Sequence, residues 1–175
     1  MRPGKHLWQL GLVPDSPITM HTLVAPVLGV ELVTELPQLF NTPARWRHVT
    51  LDTSFTDPEW NLDGSMSRLS WVPAGITTTE HSVRLDLVPG RSAEQIRARF
   101  SRTGNSEFHE AVPYVTLAYA LEPISETHIA SEVDRLTRQL VPQRINASSV
   151  EHRLAGPYGP FQFRTYRRWS SDSHR

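Results

Sequence analysis

Two short segments set side by side the side chains that acid–base and phosphate chemistry use. In Arg47-His48-Val49-Thr50-Leu51 an imidazole and a hydroxyl stand two residues apart, and in Pro113-Tyr114-Val115-Thr116-Leu117 a phenol and a hydroxyl do the same. On a β-strand, residues i and i+2 share a face. His48 therefore lies beside Thr50 and Tyr114 beside Thr116, while Val49, Leu51, Val115 and Leu117 face the opposite layer. A V-T-L tripeptide is expected about 0.1 times in a chain of this composition, so two copies in strand context suggest a repeated unit. Two such strands lining one cleft would supply hydroxyl donors for the non-bridging oxygens of a phosphodiester, one general base and one general acid. With reference pKa values of about 6.5 and about 10, the imidazole suits the base, and the phenol a proton donor to a leaving alkoxide.

The elements that must position these groups are legible from pattern. Arg47–Phe55 alternates Val49, Leu51 and Thr53 against His48, Thr50 and Asp52, and His81–Val88 alternates Val83, Leu85 and Leu87 before Pro89-Gly90 stops it. His6–Val13 and Val112–Leu121 also read as strands, the latter apolar enough to be central. Ile145–Leu154 and Pro160–Trp169 read as two late strands joined by Gly156-Pro157-Tyr158-Gly159. Ser92 with Gln95 forms a capping box for a helix over Ala93–Arg102. Ser125 caps a second helix, Glu126–Leu140, whose Ile129, Val133, Leu136 and Leu140 make one apolar stripe that Pro142 ends. Thr19–Phe40 is apolar but cut by Pro26, Gly29 and Pro37, which predicts a broken helix; Thr56–Thr79 predicts an irregular excursion. The sum is an α+β domain with helices packed on sheet, one folding unit over 1–175.

The paired strands resemble the H-x-[ST]-h signatures of the 2H phosphoesterase superfamily, which includes the 2′-5′ RNA ligase-like cyclic phosphodiesterases. The order of elements around His48-Val49-Thr50-Leu51 and Pro113-Tyr114-Val115-Thr116-Leu117-Ala118-Tyr119 is similar to bacterial members over most of the chain. That resemblance implies a bilobal, pseudo-twofold α+β fold of antiparallel sheets flanked by helices, with two pseudo-symmetric lobes and a flexible tail from about 170 to 175. It also implies metal-independent hydrolysis of a cyclic phosphate or phosphodiester of a nucleotide or RNA end, with His48, Thr50, Tyr114 and Thr116 as catalytic residues. Tyr114 stands where the family has its second histidine. His48 is then the base and Tyr114 the acid, or the site binds a nucleotide or phosphorylated metabolite without turnover. A third reading keeps the cleft for non-phosphate chemistry in a specialised pathway.

Further candidates surround this core. Trp8, Trp46 and Tyr119 could stack a base, His152 could line the cleft beside Arg153, and His109 could swing in as a replacement acid. Each has a structural alternative, a core aromatic or a solvated histidine. No cysteine is present, the histidines lack metal-ligand spacing, and no phosphate-loop, dinucleotide or nucleophile-elbow signature occurs. No cofactor or metal is therefore expected. Lys+Arg and Asp+Glu are both 18, which removes any general basic footprint for nucleic acid. Seventeen of the basic residues are Arg, a ratio that coding bias explains more readily than a specialised arginine role. The apolar run Leu7–Val13 is too short to span a membrane. A soluble, cytoplasmic monomer whose partner is a nucleotide, RNA end or other phosphorylated small molecule is expected.

Overall fold

A computed structural model of the chain describes residues 20–30, 34–54, 68–90, 112–156 and 159–170, together with Leu7, Pro58, Trp60 and Gln95. Within them lie β1 (Met20–Pro26), β2 (Leu39–Asn41), a 3-10 turn (Ala44–Trp46), β3 (His48–Ser54), β4 (Leu69–Thr79), β5 (Ser82–Pro89) and β6 (Tyr114–Ala120). These are followed by α1 (Glu126–Leu140), β7 (Ile145–Ala147), β8 (Ser149–Gly156) and β9 (Gly159–Ser170). All pairings are antiparallel, and one sheet runs β7-β4-β5-β6-β3-β1-β8-β9, with β2 attached to β6.

This order forces curvature. β7 and β8 are separated only by Ser148, yet they lie near opposite ends of the sheet. The sheet must curl until β7 comes close to the β1–β8 side, and it does: Leu28, just beyond β1, bridges Asn146 of β7, with its N–H donating to the Asn146 carbonyl at 3.1 Å. The result is a half-barrel of sheet. Its inner layer is apolar, with Leu23, Val49, Val83, Leu85, Leu87, Val115 and Leu117 buried against Ile129, Leu136 and Leu140 of α1.

The bilobal, pseudo-twofold α+β arrangement flanked by helices is thereby corrected: the described residues form one curled antiparallel sheet with a single helix. The strands expected to serve separate lobes, β3 and β6, are hydrogen-bonded neighbours. Two local expectations change with it. The described residues of Thr19–Phe40 are not a broken helix; β1 is ladder-bonded on both edges, to β3 and β8. Leu23, Val24 and Ala25 are all buried, so this strand shows no period of two. The end of Thr56–Thr79 is not irregular either, because Leu69–Thr79 is an eleven-residue strand. Its Pro73-Ala74-Gly75, read as a loop, is a β-bulge, with Pro73 opposite Leu87 and Gly75 opposite Asp86. A bulge accommodates a proline, which has no N–H to give the ladder.

β3, β5, β6, β9 and α1 lie where the alternation and the stripe predict them. Ser125 occupies the N-cap of α1, but its hydroxyl bonds Thr127 at 3.0 Å rather than the backbone. Most of the predicted strand 6–13, most of the helix 93–102, His109 and the tail 171–175 lie outside the described residues. Among those residues no helix is long and apolar enough to cross a membrane.

Candidate functional site

β3 and β6 touch at Val49 opposite Val115. Both valines point into the core at 0% exposure, so their neighbours in sequence point away from it. His48, Thr50, Tyr114 and Thr116 therefore share the outer face around one crossing point, and all four are half-buried. Strand pairing extends that face on both sides. On one side Arg84 lies opposite Thr116 and Asp86 opposite Tyr114. On the other, Thr50 pairs with Val24, Val24 with Glu151, and Glu151 with Arg168. Arg153, two residues from Glu151 on β8, joins the same face.

His48 is held in one tautomer. Its Nδ1–H donates to the Trp46 carbonyl at 2.7 Å, and a carbonyl can only accept. Nε2 is therefore the nitrogen with the lone pair. Burial pushes the His48 pKa down to about 4, helped by the Arg153 cation and opposed by the Trp46 hydrogen bond and the Glu151 anion. At neutral pH the ring is an uncharged proton acceptor.

The charge beside it is organised around Glu151, which is 3% exposed. Arg153 Nε donates to its Oε2 at 2.7 Å, while Arg168 Nε and Nη2 approach Oε1 at 2.8 and 2.5 Å. Arg153 is 4% exposed and lies with its guanidinium carbon 4.0 Å from the Phe163 ring centre. Burial draws the Arg153 pKa down and Glu151 holds it up. An arginine stays charged in either case. Two cations share one carboxylate here, so the group carries a net positive charge next to a neutral base.

Across the crossing point, the guanidinium of Arg84 lies 4.3 Å from the Tyr114 ring centre. Its Nε donates to Ser82 Oγ at 3.1 Å, and Ser82 shares a 2.6 Å hydrogen bond with Thr79. Asp86, the carboxylate on this face of β5, accepts from the Thr77 hydroxyl at 3.1 Å. The Thr116 hydroxyl is a hydrogen-bond partner of the Tyr119 phenol. Burial raises the Tyr119 pKa to about 12, so this phenol stays protonated.

The structure thus brings His48, Thr50, Tyr114 and Thr116 together, and it separates several of the other candidates. The Trp46 ring packs edge-on against Phe163 at 4.6 Å and under Arg45, so its carbonyl rather than its indole meets the site. Tyr119, at 6% exposure, offers no open stacking surface. Trp8 lies outside the described residues. His152 is 4% exposed and pairs with Leu23, a core residue, on the opposite face. There its Nε2 lies 2.9 Å from His21 Nδ1, and its ring meets Trp60 edge-on at 4.8 Å. Asp52 departs from its predicted side as well. The register shift between Leu23 and Val24 leaves Leu51 and Asp52 both buried, and Asp52 accepts from the Trp60 indole N–H at 3.1 Å.

Arg84, Asp86, Glu151, Arg153 and Arg168 are polar residues on this face that the sequence did not assign to it. The only available signal was alternation: Arg84 and Asp86 are out of phase with Val83, Leu85 and Leu87. Among the described residues no group of three His, Cys, Asp or Glu side chains is arranged to hold a metal ion.

No protein-family model matches the chain, and no curated protein matches it. Among solved structures it is similar to the crystal structure of TT0787 of Thermus thermophilus. The TM-score is 0.52 at 12% identity, over 89% of this chain and 100% of that one. At that identity the likeness is one of fold alone.

Proposed function

We propose that the face around the β3–β6 crossing is the active site of a 2H-type phosphoesterase acting on a cyclic phosphate or phosphodiester of a nucleotide or RNA end, in the cytoplasm. The observation that supports this best is the pairing of Val49 with Val115, which sets both motif copies on one face. His48 Nε2 takes the proton of the attacking water as the new O–P bond forms. The hydroxyls of Thr50 and Thr116 donate to the non-bridging oxygens. The P–O bond to the leaving group breaks as the Tyr114 phenol gives that oxygen a proton. The net positive charge of Arg153, Arg168 and Glu151 favours an anionic ligand here. No step in this scheme needs a metal.

One observation favours a second reading, binding without turnover. With a pKa of about 4, His48 is a weak base at neutral pH.

A panel of 2′,3′-cyclic nucleotides decides between the two. Turnover of at least one, lost by about 10²–10⁴-fold in His48→Ala and kept or raised in Tyr114→His, supports the phosphoesterase. Calorimetric binding with no turnover in either wild type or Tyr114→His supports the second reading. Neither binding nor turnover refutes both.

A further inference from the structure

The two threonine hydroxyls are neutral donors, and a phosphodiester gathers negative charge on its non-bridging oxygens as it is attacked. Arg153 and Arg168 each donate their Nε hydrogen bond to Glu151, whose single negative charge offsets part of theirs. Arg84 is placed differently. It lies opposite Thr116 in the β5–β6 ladder, and its guanidinium rests over the Tyr114 ring at 4.3 Å. Ser82 engages its Nε, and neither Nη nitrogen has a protein partner among the described residues. Asp86, the nearest carboxylate along β5 on that face, is turned to Thr77 and makes no ion pair with it. A stacked guanidinium is held against its platform, and its two Nη groups, without a protein partner among the described residues, match a pair of phosphate oxygens.

We propose that Arg84 is the cationic phosphate contact of this site and that the Tyr114 ring, independently of its hydroxyl, is the platform that holds it. The proposal rests on the phosphate reading above and adds the residue that supplies full charge to the bound group. Tyr114 is in this respect a positioning residue. Its ring serves Arg84, while its phenol serves the leaving oxygen.

Binding of adenosine 2′-monophosphate and of inorganic phosphate is measured by calorimetry, alongside turnover of a 2′,3′-cyclic nucleotide. Arg84→Gln should weaken binding of both anions by about tenfold to hundredfold, the scale of one charge-assisted hydrogen bond. Arg84→Lys, which keeps the charge but loses the planar fork, should recover part of that loss. Tyr114→Phe should leave anion affinity within about threefold of wild type, because the platform remains. Tyr114→Leu should weaken it as Arg84→Gln does. Circular dichroism and thermal melting confirm that each variant is folded, and Arg84→Lys and Tyr114→Phe are mild enough to carry the test alone.

Equal affinity in wild type and Arg84→Gln overturns the proposal, and with cyclic nucleotide still hydrolysed it leaves the phosphoesterase reading standing. Loss of affinity in Tyr114→Phe as large as in Tyr114→Leu overturns the platform role. A wild type that binds both anions through Arg84 but hydrolyses nothing upholds the contact and refutes the enzyme. A wild type that binds neither anion overturns both.

Discussion

His48→Asn tests the electrostatics of the site directly. Asparagine keeps a side-chain donor toward the Trp46 carbonyl and removes the titrating ring. In the folded chain His48 resists protonation down to about pH 4, whereas in the unfolded chain it takes a proton near 6.5. Between those values the unfolded state binds more protons, so stability must fall as pH falls through that window. The contribution is intact above pH 6.5 and lost below about pH 4. A shift from 6.5 to about 4 corresponds to about 3 kcal/mol as an upper bound, reduced in practice because the ring is only half-buried. Urea unfolding of wild type and His48→Asn at steps between pH 7 and pH 4 isolates the effect, since carboxylates common to both cancel in the difference. Wild-type stability relative to the variant should fall by about 2–3 kcal/mol across that range. Nitrogen NMR should show a protonated Nδ1 and a bare Nε2 throughout most of it. A flat difference curve, or an imidazole titrating at its ordinary value, would refute the account of burial and the Arg153 field.

Glu151→Gln should leave Arg153 as a buried, uncompensated cation and cost about 3–5 kcal/mol in urea unfolding. It should also lower the His48 pKa further, because Glu151 is one of the groups holding it up. Gly90→Ala should destabilise by about 1–3 kcal/mol in thermal melts, since a β-carbon there would run into the Ser70 carbonyl oxygen, which is backbone and cannot turn aside. Any phosphodiesterase activity should survive overnight chelator treatment, because the proposed donors are imidazole and hydroxyl groups. Activity lost in chelator and restored by zinc or manganese would overturn that chemistry.

What the sequence determined by itself is local and periodic. Val49/Leu51 against His48/Thr50, Val83/Leu85/Leu87 against Arg84/Asp86, and the Ile129–Leu136–Leu140 stripe each state which side of an element is buried. Backbone geometry turns such spacing into a face within a few residues. From this the strands of the site and the side chains they present together were readable. β1 was not readable, because a strand bonded on both edges and buried on both faces loses its alternation and resembles any apolar run. β4 was hidden by Pro73-Ala74-Gly75, because the same residues write a loop or a bulge, and only a neighbouring strand decides which. Asp52 changed sides for the same kind of reason, a one-residue register shift against β1. Long-range pairing settled everything else: the meeting of β3 with β6, the curl imposed by β7 and β8, the Glu151 cluster beside His48, and Arg84 over Tyr114. The strand pairings behind these contacts join residues far apart in the chain through hydrogen bonds that every backbone can make, so residue type alone does not specify the partner. Only the packed sheet does.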